Sequence, residues 1–250
     1  MACGAVWLQR SKTARRLRRG NAKLVAGDAV FLYYNEAVLA EEVEAPTLVA
    51  DERSYSVWFK PYGMLSHGSK WGDHTAISRT VEKVLNDGRL AFQLHRLDRA
   101  ASGLMILAHN KKAARALSSL FRDRAVDKHY LAMTHGRLPT PEVPVVIRTP
   151  VEERQAHTQA SEVYFDESSR RSLLDVSIET GRKHQIRVHL SEIGLPIVGD
   201  RLFGPEGDSE DLQLLAYRLA FDCPLTQTPK EFLLPASLRP AWANQSASAA

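Results

Sequence analysis

The sequence predicts a mixed α/β chain of the α+β class, on three observations. Short apolar stretches bounded by Gly or Pro recur at 55–59, 104–108, 172–180 and 216–221, with the length and composition of strands. Between them, apolar residues fall at helical spacing over 75–86, 111–124 and 182–194. No run of about 18 apolar residues occurs, so nothing in this chain is expected to span a membrane.

Composition agrees with one medium domain plus a small appendage. The chain has 250 residues, 44% hydrophobic and 25% charged, enough to bury a full core. Two cysteines, Cys3 and Cys223, make neither a disulfide framework nor a metal spacing. No apolar segment follows the first charges as a signal peptide would require. A cytoplasmic location is therefore expected. The net charge of +4 is unevenly spread. Seven basic side chains (Arg10, Lys12, Arg15, Arg16, Arg18, Arg19 and Lys23) precede the first acid, Asp28, and the rest of the chain has 26 basic and 29 acidic residues. Such a block suits an anionic polymer, and it equally suits a solvated arm.

Taken in order, residues 1–48 read as a basic N-terminal segment, with a turn at Gly20-Asn21 and short strands on either side of Gly27-Asp28. Its A-G-D turn resembles the back half of a small RNA-binding module known from a ribosomal protein. The acidic, Pro-containing stretch 36–50 reads as a linker. A main domain follows over 49–235, opening on the strand Tyr55–Phe59, which Lys60-Pro61-Tyr62-Gly63 breaks. Ile77, Val81, Val84 and Leu85 mark a helix ended by Gly88. Leu104–Ala108 is a buried strand. The helix over 111–124 has an apolar stripe of Ala113, Leu117, Leu120 and Phe121, with Lys111, Lys112, Arg115, Arg122 and Arg124 facing outward. A strand around Tyr130 ends at Gly136, and the Pro-rich stretch 139–150 reads as a loop. After the strand at 172–180, Ile186, Leu190 and Ile193 give a helix capped by Gly194, with Lys183 and Arg187 four apart on another face. Residues 195–205 are turn-rich, Ala216–Phe221 is a late strand, and 236–250 is an Ala/Ser-rich tail expected to fray.

The chemistry gathers at 95–110, H-R-L-D-R-A-A-S-G-L-M-I-L-A-H-N. His95, Arg96, Asp98 and Arg99 sit on a loop immediately before a core strand, where a rigid scaffold holds functional groups. Asp98 reads as a surface ion pair or as an acid–base or nucleophilic carboxylate among arginines. Two further polar elements stand beside strands, Lys128–Tyr130 and Arg182–His189. An acid near several arginines, with a neutral tyrosine available, suits chemistry on an anionic polymer.

Four stretches in one order carry a resemblance: Tyr55–Phe59 with K-P-x-G, H-R-L-D-x-x-x-S-G-L, K-x-Y-L-A-x-x-x-G and G-R-x-H-Q-I-R-x-H. Over about residues 50–222 the chain resembles the RluA-type family of RNA pseudouridine synthases. The resemblance implies a mixed, largely antiparallel sheet flanked by helices, with a central active-site cleft. It implies isomerisation of uridines in structured RNA (ribosomal or transfer) after base flipping, with no cofactor and no metal. Asp98 is then the catalytic carboxylate. Tyr130 stacks on the target base and is a candidate proton acceptor, and Arg187 pairs with Asp98. Arg96 enters the space left by the flipped uridine, and Ile186 packs against the base pocket. Lys60, Lys128, His95 and His184 are implied on the substrate-binding side. Ala100-Ala101 replaces a more usual polar pair beside the Asp, a departure that removes no catalytic group. A monomer is the expectation.

Rival readings are weaker. The extra leucine in H-R-L-D breaks the kinase H-R-D pattern, and no Gly-rich phosphate loop or D-F-G accompanies it. On a helix, five residues separate His184 and His189 by about 140°, a poor chelating pair. A non-catalytic RNA-binding protein is the serious alternative, and it predicts loss of Asp98, Tyr130 or Arg187, all of which are present.

Overall fold

Ser102–Ala108, the strand that follows the H-R-L-D loop, lies inside the main sheet of a computed structural model that describes residues 3–245. In chain order the elements are β1 Val6–Arg10, β2 Thr13–Arg16, β3 Ala29–Leu32, α1 Glu36–Leu39, β4 Thr47–Asp51, β5 Tyr55–Lys60 and α2 Ile77–Leu85. Then come β6 Phe92–Gln93, β7 Ser102–Ala108, α3 Lys111–Arg122, β8 Asp127–His135, β9 Val145–Ile147 and β10 Thr158–Asp166. The last are β11 Arg171–Ile178, α4 Gln185–Glu192, β12 Leu214–Cys223 and β13 Thr228–Leu233. The main sheet runs β4-β5-β7-β12-β8-β11-β10-β9, with β13 on β12 and β6 on β7. Among the described strands every pairing is antiparallel except β7 with β12. The expected α+β fold with a mixed, largely antiparallel sheet is what forms. No helix among the described residues is long and apolar enough to cross a membrane.

Strand periodicity divides the core in two. Successive side chains of a strand point to opposite faces. Trp58, Met105, Leu107, Tyr130, Ala132, Leu174 and Val176 therefore pack with Ile77 and Val81 of α2 and Ile186 and Leu190 of α4. Their neighbours Val57, Leu104, Ile106, Leu131, Met133 and Leu173 pack on the other face with Ala113 and Leu117 of α3. The runs at 104–108 and 130–133 are continuously apolar because both faces of these central strands are covered.

Gly103 sits at the one parallel junction, paired with Ala216. Its φ is +127°, and a Cβ there would lie 2.3 Å from the Ala216 carbonyl oxygen. Only glycine fits. Gly103→Ala is expected to destabilise the chain by about 2–4 kcal/mol, through backbone strain plus overpacking, as read by urea unfolding.

Several elements differ from the sequence reading. The strand before Gly27-Asp28 does not form, and β3 pairs instead with β1, which the pattern did not reveal. The linker 36–50 contains α1 and all but the last residue of β4, and the Pro-rich stretch 139–150 contains β9. β10 and β13 have mixed polar and apolar faces, and β10 has a bulge between Glu162 and Tyr164, so neither shows clean alternation. Helix α2 ends on Asn86 in the left-handed region (φ 47°), two residues before Gly88. Lys183 precedes α4, so it shares no helix face with Arg187. The tail is ordered through two short 3-10 turns, Ala236–Leu238 and Ala241–Asn244, and Ala243 is buried. The rest of the tail, from 246, lies outside the described residues.

The basic N-terminal segment forms a separate three-stranded sheet, β2-β1-β3. Arg16 and Arg18 both reach Asp73, the Trp7 indole donates to the Lys70 carbonyl, and Arg10 pairs with Asp28. Three of the seven early cations are thus engaged within the protein.

Candidate active site

Residues 94–101 carry Asp98 out of β6 and into β7, and two buried polar side chains hold this loop. The Ser66 hydroxyl donates to the Leu97 carbonyl (2.6 Å) and accepts the Leu97 amide (2.9 Å). The Lys60 ammonium donates to the carbonyls of Pro61 (3.0 Å), Met64 (2.9 Å) and Arg99 (3.3 Å). A lysine has three donors, and Lys60, wholly buried, has all three engaged. Burial pulls it down to about 7, against the opposing attraction of Asp98. Lys60 therefore braces the Asp98 loop from behind. In this structure none of its three donors is left for a substrate.

Arg187 arrives on the first turn of α4. Its Nε and Nη2 grip Asp200 through two 2.7 Å bonds, and Nη1 is left to reach Asp98 Oδ2 at 3.3 Å. Asp200 is 1% exposed and also accepts the amides of Leu202 and Phe203. Burial alone would raise its pKa, but the Arg187 bonds and these amides outweigh that and hold it low. The Arg187 guanidinium lies 5.2 Å from the Phe203 ring centre, so its face is covered as well. The fork geometry gives Arg187 a single orientation toward Asp98.

His184 stands at the N-cap of α4 with φ 56°, a left-handed backbone. That turn brings its Nε2 to 3.9 Å from Asp98 Oδ2, and its ring edge meets Phe203 at 5.6 Å. Burial lowers its pKa, with Asp98 opposing. Gln185 locks the same turn: its Oε1 accepts Thr180 Oγ1 and the Arg182 amide, and its Nε2 donates to the His157 carbonyl and Thr158 Oγ1. His189 is buried, with both ring nitrogens engaged, by Thr158 and the Thr149 carbonyl.

Asp98, Arg96, Tyr130, His184, Ile186 and Arg187 all line one pocket, walled also by Leu97, Ala101, Ile178 and Leu214. Tyr130 is 8% exposed, and burial, reinforced by Asp98, pushes its phenol far above the usual range, so it is neutral. Arg96 is exposed and opens into a second, adjoining cleft of about 470 Å³ with Lys128, Arg122, Arg124 and Arg182. Burial brings Lys128 down to about 8, with nearby Arg124 adding to the effect.

His95 lines that cleft but has another part. Its Nε2 accepts the Ile106 amide (3.0 Å), and its ring stacks on Phe121 at 4.4 Å. Desolvation, then Lys128, pushes it down to about 3. A neutral imidazole that accepts the Ile106 amide holds β7 in place from the wall of this cleft. Between pH 6.5 and 3 the unfolded chain binds a proton at His95 that the folded chain does not. Stability is then lost as pH falls through this window. From pH 7 to 5 His95 is expected to cost about 1–2 kcal/mol, a loss absent from His95→Gln, as compared by urea unfolding at each pH.

Two residues that set this geometry, Asp200 and Ser66, escaped the sequence reading, and Gln185 stood in a quoted stretch without a role. Asp200 lay in a stretch read as turns, and Gly199-Asp200 was its only local signal.

A family model described as RNA pseudouridylate synthase matches residues 54–192. This chain belongs to the RNA pseudouridylate synthase family. The dual-specificity RNA pseudouridine synthase RluA of Yersinia pestis is 32% identical over 189 residues, 69% of this chain and 90% of that one. The tRNA pseudouridine synthase C of Vibrio parahaemolyticus is 30% identical over 233 residues, 80% and 93% of the two chains. In fold, the human RNA pseudouridylate synthase domain containing 1 aligns with TM-score 0.66 at 21% identity, over 80% of this chain and 88% of that one. The pseudouridine synthase described here is thus an RluA-type isomerase, and the pocket around Asp98 lies within the matched segment apart from its wall residue Leu214.

Proposed function

We propose that this pseudouridine synthase isomerises specific uridines in structured ribosomal or transfer RNA, with Asp98 as the catalytic carboxylate. The observation that carries the reading is the Arg187–Asp98 contact inside a pocket shared with Tyr130 and Arg96. The target base is flipped into the pocket, where Tyr130 stacks on it and Ile186 packs against it, and Arg96 fills the gap left in the RNA. The C1′–N1 bond breaks, the uracil turns, and C5 bonds to C1′. The C5 proton leaves and N1 ends protonated. Atoms and charge balance with no redox step, so no cofactor is needed. Asp98 acts either by attack at the sugar or by removing a sugar proton. Arg187 orients it, and His184 faces the same carboxylate. Lys128 lies with the cationic cleft, suited to phosphate. The enzyme is read as a cytoplasmic monomer. Pseudouridine mapping of total RNA from cells with and without the protein tests this reading. A site that vanishes on deletion and returns with the wild-type chain is expected, and no changed site in cells or on transcribed RNAs would sink it.

The N-terminal sheet is read as an RNA-binding appendage acting through Lys12, Arg15, Arg19 and Lys23, which make no ion pair among the described residues. Removing the whole segment would also strip buried Asp73 of both arginines, so substitutions are the cleaner probe. Changing all four to Gln is expected to make the salt dependence of RNA binding shallower by about 3.6 in log–log slope. An unchanged slope would contradict the role.

A further inference from the structure

Helix α3 places two cations where a helix least tolerates them. Lys111 and Lys112 form its first turn, at the positive end of the helix dipole, and no acidic residue occurs in that turn. Arg115 follows Lys111 by four residues, a like-charge spacing that is itself unfavourable. Among the described residues none of the three makes an ion pair or a side-chain hydrogen bond. The fold does not require this arrangement: α3 is anchored by Ala113 and Leu117 on its opposite side, and Asn110 caps it by accepting the Ala113 amide. A local rule broken without internal compensation marks a functional position.

The three cations line a shallow groove of about 710 Å³ with Ala116, Ser119 and Arg122. Arg122 also lines the cleft that holds Lys128, Arg96 and Tyr130. The groove therefore meets the cleft beside the catalytic pocket at Arg122, a residue that also pairs with the exposed Asp123. From Lys111 to Arg122 the helix advances about 16 Å, the axial length of about five phosphates on one strand of a duplex. Membrane-surface helices dip an apolar face into lipid, whereas the apolar stripe of α3 is buried in the core.

We propose that the exposed face of α3 grips the phosphate backbone of the RNA stem next to the flipped nucleotide, and so sets which uridines reach the pocket. The inference rests on the proposed function and extends it from the pocket to the RNA outside it. Contacts of this kind fix position and carry no base information.

The test is binding of a transcribed, unmodified transfer RNA across a salt series by a triple variant, Lys111→Gln, Lys112→Gln and Arg115→Gln. The titration is repeated in the Asp98→Ala chain, so failure of the catalytic assignment leaves this measurement intact. Loss of three phosphate contacts is expected to flatten the log–log salt slope by about 2.7 and weaken binding at 0.1 M salt by about 500-fold. The triple variant is expected to melt no lower than wild type, since the substitutions relieve the helix. A charge-retaining variant, Lys111→Arg with Lys112→Arg and Arg115→Lys, should restore both slope and affinity. Unchanged slope and affinity in a folded Gln variant would overturn the proposal. So would loss of binding to phosphatidylserine vesicles with RNA binding intact.

Discussion

Asp98→Ala is expected to reduce turnover by at least ~10³-fold while RNA affinity stays near the wild-type value. The size follows from removing the group proposed to act on the reacting sugar. The variant should remain folded. Arg187 keeps its two 2.7 Å bonds to Asp200 when Asp98 is gone, so no buried charge is left unpaired. Binding should persist because the cations of the adjoining cleft are untouched, and removing one negative charge beside them does not oppose RNA. Single-turnover assays and filter-binding titrations on the same transcript check both halves. Turnover within tenfold of wild type would remove Asp98 from the mechanism. Equal loss of binding and turnover would make it an RNA contact.

Asp200→Ala is expected to have the largest effect on stability, about 3–5 kcal/mol, because it leaves the Arg187 guanidinium buried with only the partly exposed Asp98 to face. The same change removes the acceptor for the Leu202 and Phe203 amides. Activity should fall with it, since Arg187 then loses the fork that orients its remaining nitrogen. A double variant, Arg187→Met with Asp200→Leu, separates the two effects. Replacing both members of a buried pair with apolar groups is often near neutral, so stability should largely return while turnover does not. Urea unfolding and single-turnover rates together decide. A stability loss below about 1 kcal/mol for Asp200→Ala would show that the pair is far more hydrated than its burial indicates.

The sequence was informative where a signal is local. Apolar runs at 55–59, 104–108 and 172–180 became β5, β7 and β11 because both faces of these strands are covered, which leaves little room for polar residues. The helical stripes of α2, α3 and α4 were equally plain. The half-polar strands β10 and β13, and β4 within a supposed linker, were not, because their partners rather than their own residues make them strands.

The same division holds at the site. The H-R-L-D, K-x-Y and Q-I-R stretches identified the RluA-type family and the residue types of the pocket from the sequence alone. Only the tertiary structure decided how those groups are used. Asp98 and Arg187 are 89 positions apart and meet because the Asp98 loop and the first turn of α4 border one pocket. The family resemblance put Lys60 and His95 on the substrate-binding side, and the structure shows one wholly engaged by backbone carbonyls and the other held neutral. Asp200 had no signal beyond a turn, and it orients the arginine that faces Asp98. Periodicity and motif report which residue types a stretch contains. The protonation and partners of a polar group depend on burial, and burial is set by chain segments remote in sequence.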